Sequence, residues 1–306
     1  MKTDILQQSK SVNKGMLFML LAVLLLPFTD AIAKYLSTSL SPTQIAWIRF
    51  FMQVVFIFLI SLFIKQKIEK FRLSYIFLGL FVSLTIILLF WGLRYLPLAN
   101  NIALFFIEPM VLTILSVIFL KEKIFYNHII AVLIGLVGTF IIIRPNFALY
   151  GIASFLPIAS AICYALYLMS IRMASNLGNS ISLQFWVGVI ATFFLSIVIL
   201  FGESFNIEVF SFHKIDSSIW WILLILGIGT TIVQLLVSSA FFHAKASTLA
   251  SFQYLEIISA TILGWLMFNE IPDRFTVLGA MIVIFAGIYL VRHERKANKA
   301  QNLNQN

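Results

Sequence analysis

Two glutamates, Glu108 and Glu256, stand 148 residues apart, each near the middle of a long apolar run. A charge at the centre of a membrane helix costs about 2.5–3.5 kcal/mol even on lenient insertion scales. The sequence offers no basic residue at the depth of either acid. Each therefore needs a proton or a cationic partner, and the chemistry available is reversible binding of one or the other. The blander alternative is a neutral acid that donates a hydrogen bond to a neighbouring helix backbone.

Each acid is followed fourteen residues later by another glutamate, Glu122 and Glu270. At the same offset Thr113, Ile114, Leu115, Ile134 and Arg144 recur as Thr261, Ile262, Leu263, Ile282 and Arg292. The conserved order along matching apolar runs indicates duplication, and internal symmetry in a membrane chain marks carrier architecture.

Helical spacing extends the site. Asn101, Phe105, Glu108 and Leu112 share one stripe, and Leu249, Gln253, Glu256 and Ala260 share its counterpart. From other helices Trp91, Tyr164, Tyr167, Thr231, Gln234 and Ser238 are expected to line the same space, with Pro27 bending the first helix. Pro109, directly after Glu108, is expected to free the Phe105 carbonyl and kink the fourth helix. Asp30 and Lys34 lie four apart on one face of the first helix, and Arg49 sits at similar depth in the second. These three either form an interhelical ion cluster or meet a substrate, where Arg49 would grip a carboxylate through two parallel hydrogen bonds. The expected substrate-binding set is Glu108, Glu256, Gln253, Asn101, Phe105, Trp91, Tyr167, Gln234, Arg49 and Asp30. Gly135, Gly138, Gly227 and Gly229 read as points of close helix contact.

The elements that must position these residues follow from composition. Hydrophobic residues make up 61% of the chain and charged residues 11%. Runs of about twenty apolar residues suffice to cross ~30 Å of hydrocarbon at the helical rise of 1.5 Å per residue. Ten are read, over 15–36, 44–64, 74–93, 99–120, 126–143, 151–171, 183–202, 219–241, 248–268 and 275–291. The expected fold is an all-α membrane protein of ten transmembrane helices arranged as two inverted five-helix repeats. The first repeat covers 15–143, the second 151–291, and a basic tail 292–306.

The net charge of +9 does not point to nucleic acid, because the basic residues are distributed by side. Fifteen of the 21 lysines and arginines fall on segments that share a side with the amino terminus. Positive charge resists translocation, so both termini are expected in the cytoplasm and the protein in the plasma (bacterial inner) membrane. An odd number of spans per repeat then inverts the second half. Glu122 should lie inside and Glu270 outside, while Glu108 and Glu256 stay at the midplane. Lys10, Lys14, an apolar stretch from Met16 to Phe28 and Ala31-Ile32-Ala33 also resemble a cleavable signal peptide. Cleavage would leave the sixth helix without a partner, so the first helix is retained. Cys163 is the single cysteine, and His128, His213, His243 and His293 show no ligand spacing, so no metal site is expected. No phosphate loop is present and no cofactor is expected, which leaves gradients or exchange as the source of energy.

The segments Gln253-Tyr254-Leu255-Glu256, Phe268-Asn269-Glu270-Ile271-Pro272-Asp273 and Leu278-Gly279-Ala280 resemble the second-repeat pattern of EamA-domain proteins. Trp47, Arg49 and Phe50 resemble the start of the second helix in the first repeat. The resemblance to this part of the drug/metabolite transporter superfamily covers essentially the whole chain. It implies a ten-helix carrier with a central cavity and alternating access without nucleotide hydrolysis. The Tyr-Leu-Glu and Glu-Ile-Pro-Asp stretches are similar to those of S-adenosylmethionine carriers and of many exporters of amino acids. Lys121-Glu122-Lys123 and Arg94 depart from the usual first-repeat pattern.

The expected function is thus secondary transport of a small polar metabolite, an amino acid or a derivative of one, with a coupling proton as a possible second ligand and the lipid bilayer as surroundings. The working unit is a monomer or a homodimer. The rival classes are an intramembrane enzyme, for which no protease or acyl-transfer motif is present, and a non-transporting scaffold or sensor, which would not explain paired buried acids.

Overall fold

The computed structural model describes residues 2–37, 39–92, 95, 104–122, 126–143, 151–175, 178–205, 207–256 and short stretches between 259 and 289. Ten α-helices follow in chain order: α1 (Lys2–Leu36), α2 (Pro42–Phe63), α3 (Ser74–Gly92), α4 (Glu108–Ile118), α5 (Tyr126–Ile143), α6 (Phe155–Ala174), α7 (Ser180–Ser204), α8 (Trp220–His243), α9 (Ala246–Gln253) and α10 (Val277–Ala286). Six of them, α1, α2, α3, α6, α7 and α8, are long and apolar enough to cross a membrane. Phe58, Phe63, Leu200, Phe201, Trp221 and Phe285 are exposed on the bundle. A continuous apolar exterior is stable only against lipid, and the chain is an integral multi-pass membrane protein.

Local signals set the helix ends. Ser41 caps α2, its hydroxyl accepting from the Gln44 N–H, and Pro42 occupies the first turn, where a missing N–H costs nothing. Asn179 caps α7 in the same way through the Ser182 N–H at 2.8 Å. At the end of α4, Lys121 adopts a left-handed conformation (φ 51°), which folds the chain back so that the Glu122 N–H bonds the Ser116 carbonyl.

Packing between the halves is reciprocal. α1 lies along α8 as α3 lies along α6, and α2 touches α8 as α7 touches α3. Exchange of partners in this way is what a twofold relation between five-helix units produces. Small residues permit the close approaches. A Cβ on Gly79 would meet Ile190, one on Gly227 would meet Met52, and one on Gly229 would come within 3.0 Å of Thr29.

The two ends of the bundle are tied differently. At one end the 207–219 segment lies across the start of α2. Gln44 donates from Nε2 to the His213 carbonyl at 2.8 Å and accepts from the His213 N–H at 2.9 Å, while Thr43 donates to the Val209 carbonyl at 3.0 Å. At the other, basic end, the connection between α2 and α3 docks on α7, with Asn179 donating to the Glu69 carboxylate at 3.0 Å and Trp186 to the Glu69 carbonyl at 2.9 Å.

Two expected spans differ from the sequence reading. The runs 99–120 and 248–268 are each interrupted at the middle. In the first, helical Leu104 and Phe105 lead into a turn at Phe106 and Ile107, and α4 starts anew at Glu108. In the second, α9 ends at Gln253, a turn follows at Tyr254 and Leu255, and helix resumes at Glu256. The chain is broken here and not kinked, because Pro109 falls in the first turn of the new helix, where it needs no acceptor.

Candidate functional site

The two breaks coincide residue for residue at the 148-residue offset. The Ile107 N–H bonds the Leu104 carbonyl, and the Leu255 N–H bonds the Phe252 carbonyl, so both turns close in the same way. The aromatic rings of the paired turn residues, Phe106 and Tyr254, stack on each other with centroids 6.3 Å apart and planes inclined by 22°. Their contact, with Val132 beside it, joins the halves where the chain is interrupted. Each break delivers a glutamate at the first position of a helical segment, where unpaired N–H groups favour negative charge.

Glu108 is 3% exposed and its Oε1 has no hydrogen-bond partner among the described residues. Gln253, on the opposite half, lies beside the carboxylate, and the Oε1 of Gln253 and the hydroxyl of Tyr254 are also buried without partners among the described residues. Glu256 is partly buried and lies within electrostatic reach of Glu108 and Asp30. Among the described residues no cation comes within ion-pair distance of Glu108 or Glu256. Arg49 instead pairs with Asp30 at 3.9 Å. Half of the Asp30 side chain is accessible.

Tyr164 connects these groups. Its hydroxyl lies within electrostatic reach of Glu108, Glu256 and Arg49, and its ring packs against Phe105 at 5.7 Å and Tyr167 at 5.8 Å. Tyr167 is fully buried and shares a hydrogen bond of 3.2 Å with Gln234. Of the residues expected at the site, Glu108, Glu256, Gln253, Phe105, Tyr167, Gln234, Arg49 and Asp30 thus belong to one connected group. Trp91 makes its ring contact with Phe210 in the 207–219 segment, 6.1 Å away. Thr231 and Ser238 turn their hydroxyls back onto their own helix, to the Gly227 and Gln234 carbonyls. Asn101, Ala260 and Glu270 lie outside the described residues.

Two residues join the site that spacing does not single out, and Glu122, singled out by the repeat, forms a separate contact at the basic end. Gln53 and Gln184 form a buried amide pair next to Tyr167, detectable in sequence only as amides within apolar runs. Glu122 is 7% exposed and spans the basic end. Its carboxylate accepts from the Ala246 N–H at 3.2 Å, the Ser247 N–H at 3.1 Å and the Ser247 hydroxyl at 2.9 Å, and it pairs with Arg172 at 3.5 Å. Arg172 in turn donates to the Phe241 carbonyl at 2.9 Å. One side chain from the first half thereby caps α9 and latches onto α6 and α8 of the second.

An apolar cleft of about 290 Å³ between α5 and α10, lined by Ile134, Ile282 and Phe285 among others, offers no polar group to orient a metabolite. The acidic cluster at the two helix breaks is the better candidate. Groups of this kind, set between two halves at interrupted helices, suit reversible binding of a small solute.

Residues 13–144 and 151–292 each match the EamA-like transporter family. The riboflavin transporter of Vibrio cholerae is 27% identical over 295 residues, covering 94% of this chain and 96% of its own. The S-adenosylmethionine uptake transporter of Rickettsia bellii is 26% identical, covering 94% and 97%, and the pseudopaline exporter of Pseudomonas aeruginosa is 23% identical, covering 93% and 98%. A solved crystal structure shares the fold with a TM-score of 0.78 at 16% identity, over 92% of this chain and 99% of that one. A family match over both halves, on a duplicated helical chain with paired acids at its centre, has one meaning: this is a membrane transporter for a small molecule, a member of the EamA-like transporter family.

Proposed function

We propose that the chain is a secondary carrier for an amino-acid-derived metabolite that bears a cationic group, with S-adenosylmethionine as the leading candidate cargo. The observation that carries this reading is the pair of acids, Glu108 and Glu256, presented by matching helix breaks with no cation among the described residues within ion-pair distance. Such acids suit a cargo whose positive charge supplies the missing partner, or a coupling proton that does so between cycles. A sulfonium and an ammonium on one molecule fit two carboxylates. The rings of Tyr164, Phe105 and Tyr167 offer apolar faces to a planar base, and Arg49 suits a carboxylate. Riboflavin, the named cargo of one relative, carries no such cation and makes less use of this wall.

The two halves form inverted repeats that rock about the Phe106–Tyr254 contact and open the cavity alternately to each side of the plasma (bacterial inner) membrane. Both termini are cytoplasmic, which puts the Glu122 latch on the inner face, where it holds that side closed. Glu270, its counterpart in the duplicated sequence, takes the equivalent role on the outer face in the opposite state.

The test is counterflow of labelled S-adenosylmethionine in proteoliposomes, with unlabelled riboflavin and free amino acids as competitors. Exchange that is lost in the Glu108→Gln/Glu256→Gln double variant supports the reading. Equal exchange in wild type and double variant removes the acids from the mechanism.

A further inference from the structure

Four side chains nine-tenths or more buried, Gln53 on α2, Gln184 on α7, Tyr167 on α6 and Gln234 on α8, form a single chain of hydrogen bonds. Its direction is determined at one end. Gln53 Nε2 donates both to the main-chain carbonyl of Gln184 at 2.9 Å and to the Gln184 side-chain Oε1 at 3.2 Å. A main-chain carbonyl can only accept, so the Gln53 amide cannot be turned over without setting oxygen against oxygen.

The remaining links follow from that constraint. With its Oε1 engaged by Gln53, Gln184 directs Nε2 to the Tyr167 hydroxyl at 3.1 Å. Tyr167, accepting there, has one proton to give, and it goes to Gln234 Oε1 at 3.2 Å. Gln234 is thereby compelled to present its Nε2 outward. That nitrogen has no hydrogen-bond partner among the described residues, and the side chain keeps a small accessible area, 7%. Donors all aligned in one sense also polarise one another, which strengthens the last of them.

We propose that Gln234 is a specificity-determining residue, that its Nε2 donates to an acceptor oxygen of the cargo, a carboxylate or carbonyl, and that the Gln184 main-chain carbonyl dictates this through the Tyr167 relay. The inference rests on the carrier reading above and deepens it. One wall of the cavity, with Glu108, Glu256 and Asp30, selects a cation. The other, with Gln234, selects the acceptor that an amino-acid cargo carries beside its amine. Gln53 and Gln184 do not touch the cargo and act as positioning residues.

The experiment uses matched probes that differ by one carboxylate: S-adenosylmethionine with its decarboxylated form, arginine with agmatine, and ornithine with putrescine. Binding is read as ligand-induced thermal shift and as counterflow of the full chain in proteoliposomes. Wild type is expected to favour the carboxylate-bearing member of a pair by about tenfold, the worth of one hydrogen bond to a charged group. Gln234→Leu should lower that preference severalfold, leaving only what Arg49 contributes, while keeping the decarboxylated probe bound. Gln184→Glu lets Tyr167 donate toward position 184 and frees the Gln234 amide to turn, so it should lower or reverse the preference from outside the cavity. Tyr167→Phe, which keeps the ring, should weaken the preference and provides the check if Gln184→Glu fails to fold. A purely structural role would weaken both members equally and leave their ratio unchanged. An unchanged ratio in Gln234→Leu and Tyr167→Phe overturns the relay and leaves the carrier standing. Failure of every pair to bind wild type overturns the cationic-cargo reading and the role of Gln234 with it.

Discussion

Glu108 and Glu256 begin the same backbone figure in the two halves of the molecule, yet their surroundings differ. The turns before them close through equivalent hydrogen bonds, and their aromatic residues meet face to face. Around Glu108 the protein has closed in: the acid is 3% exposed and Gln253 from the other half lies beside it. Glu256 is less deeply buried, with Asp30 and its partner Arg49 within electrostatic reach. Duplication thus supplies identical positions, and their neighbours make one a deeply buried acid and the other a more accessible one.

The comparison can be broken most severely by removing both acids. Glu108→Gln/Glu256→Gln is expected to lower counterflow of a cationic probe by about a hundredfold or more, since a buried charge pair each way is worth ~1.5–3 kcal/mol. Single variants sharpen it. Glu256→Gln should weaken binding of the probe by about tenfold, whereas Glu108→Gln, whose amide can still bond Gln253, should bind within about threefold of wild type and lose flux instead. Equal binding defects in titrations of the two variants would erase the functional distinction drawn from their unequal burial.

The next effect concerns stability. Glu122→Ala uncaps α9 and leaves Arg172 with only the Phe241 carbonyl, a loss of about 1–3 kcal/mol in thermal unfolding, with Glu122→Gln milder because an amide oxygen still accepts. Gly135→Ala probes the join of the halves from behind. Its Cβ would lie 2.5 Å from the Tyr254 ring, and overpacking of ~1–3 kcal/mol is expected in the same assay, with slower flux if the stacked pair is the pivot. The smallest effect is expected from Tyr254→Phe, which makes the turn residue identical to its counterpart Phe106. The hydroxyl it removes has no partner, so stability should change by under about 1 kcal/mol, and a larger loss would mean that the hydroxyl takes part in transport.

At this join equivalent positions of the repeat carry different residues. Phe106 faces Tyr254, and Gly135 corresponds in the duplicated sequence to Val283. A contact on the axis between halves must accommodate itself, and two tyrosines or two branched residues would compete for the same volume. Unequal residues at equivalent positions are the simplest way to fill it.

By itself the sequence determined the class of molecule and the acids at its centre. Hydrophobic run length and the 148-residue recurrence suffice for a duplicated helical membrane protein, because both depend only on local composition and order. The stripe Phe105, Glu108 and its counterpart Gln253, Glu256 were legible for the same reason, since helical periodicity is local. Pattern alone read residues 99–120 and 248–268 as continuous spans, because the turns at Phe106–Ile107 and Tyr254–Leu255 are made of residues as apolar as their flanks and carry no glycine. Only the tertiary structure decided that these helices break, that Glu122 reaches across to α9 and Arg172, and that Gln53, Gln184, Tyr167 and Gln234 form one directed relay. Each of those features joins groups that lie far apart in the chain, and a hydrogen bond between distant segments leaves no periodic trace in either of them.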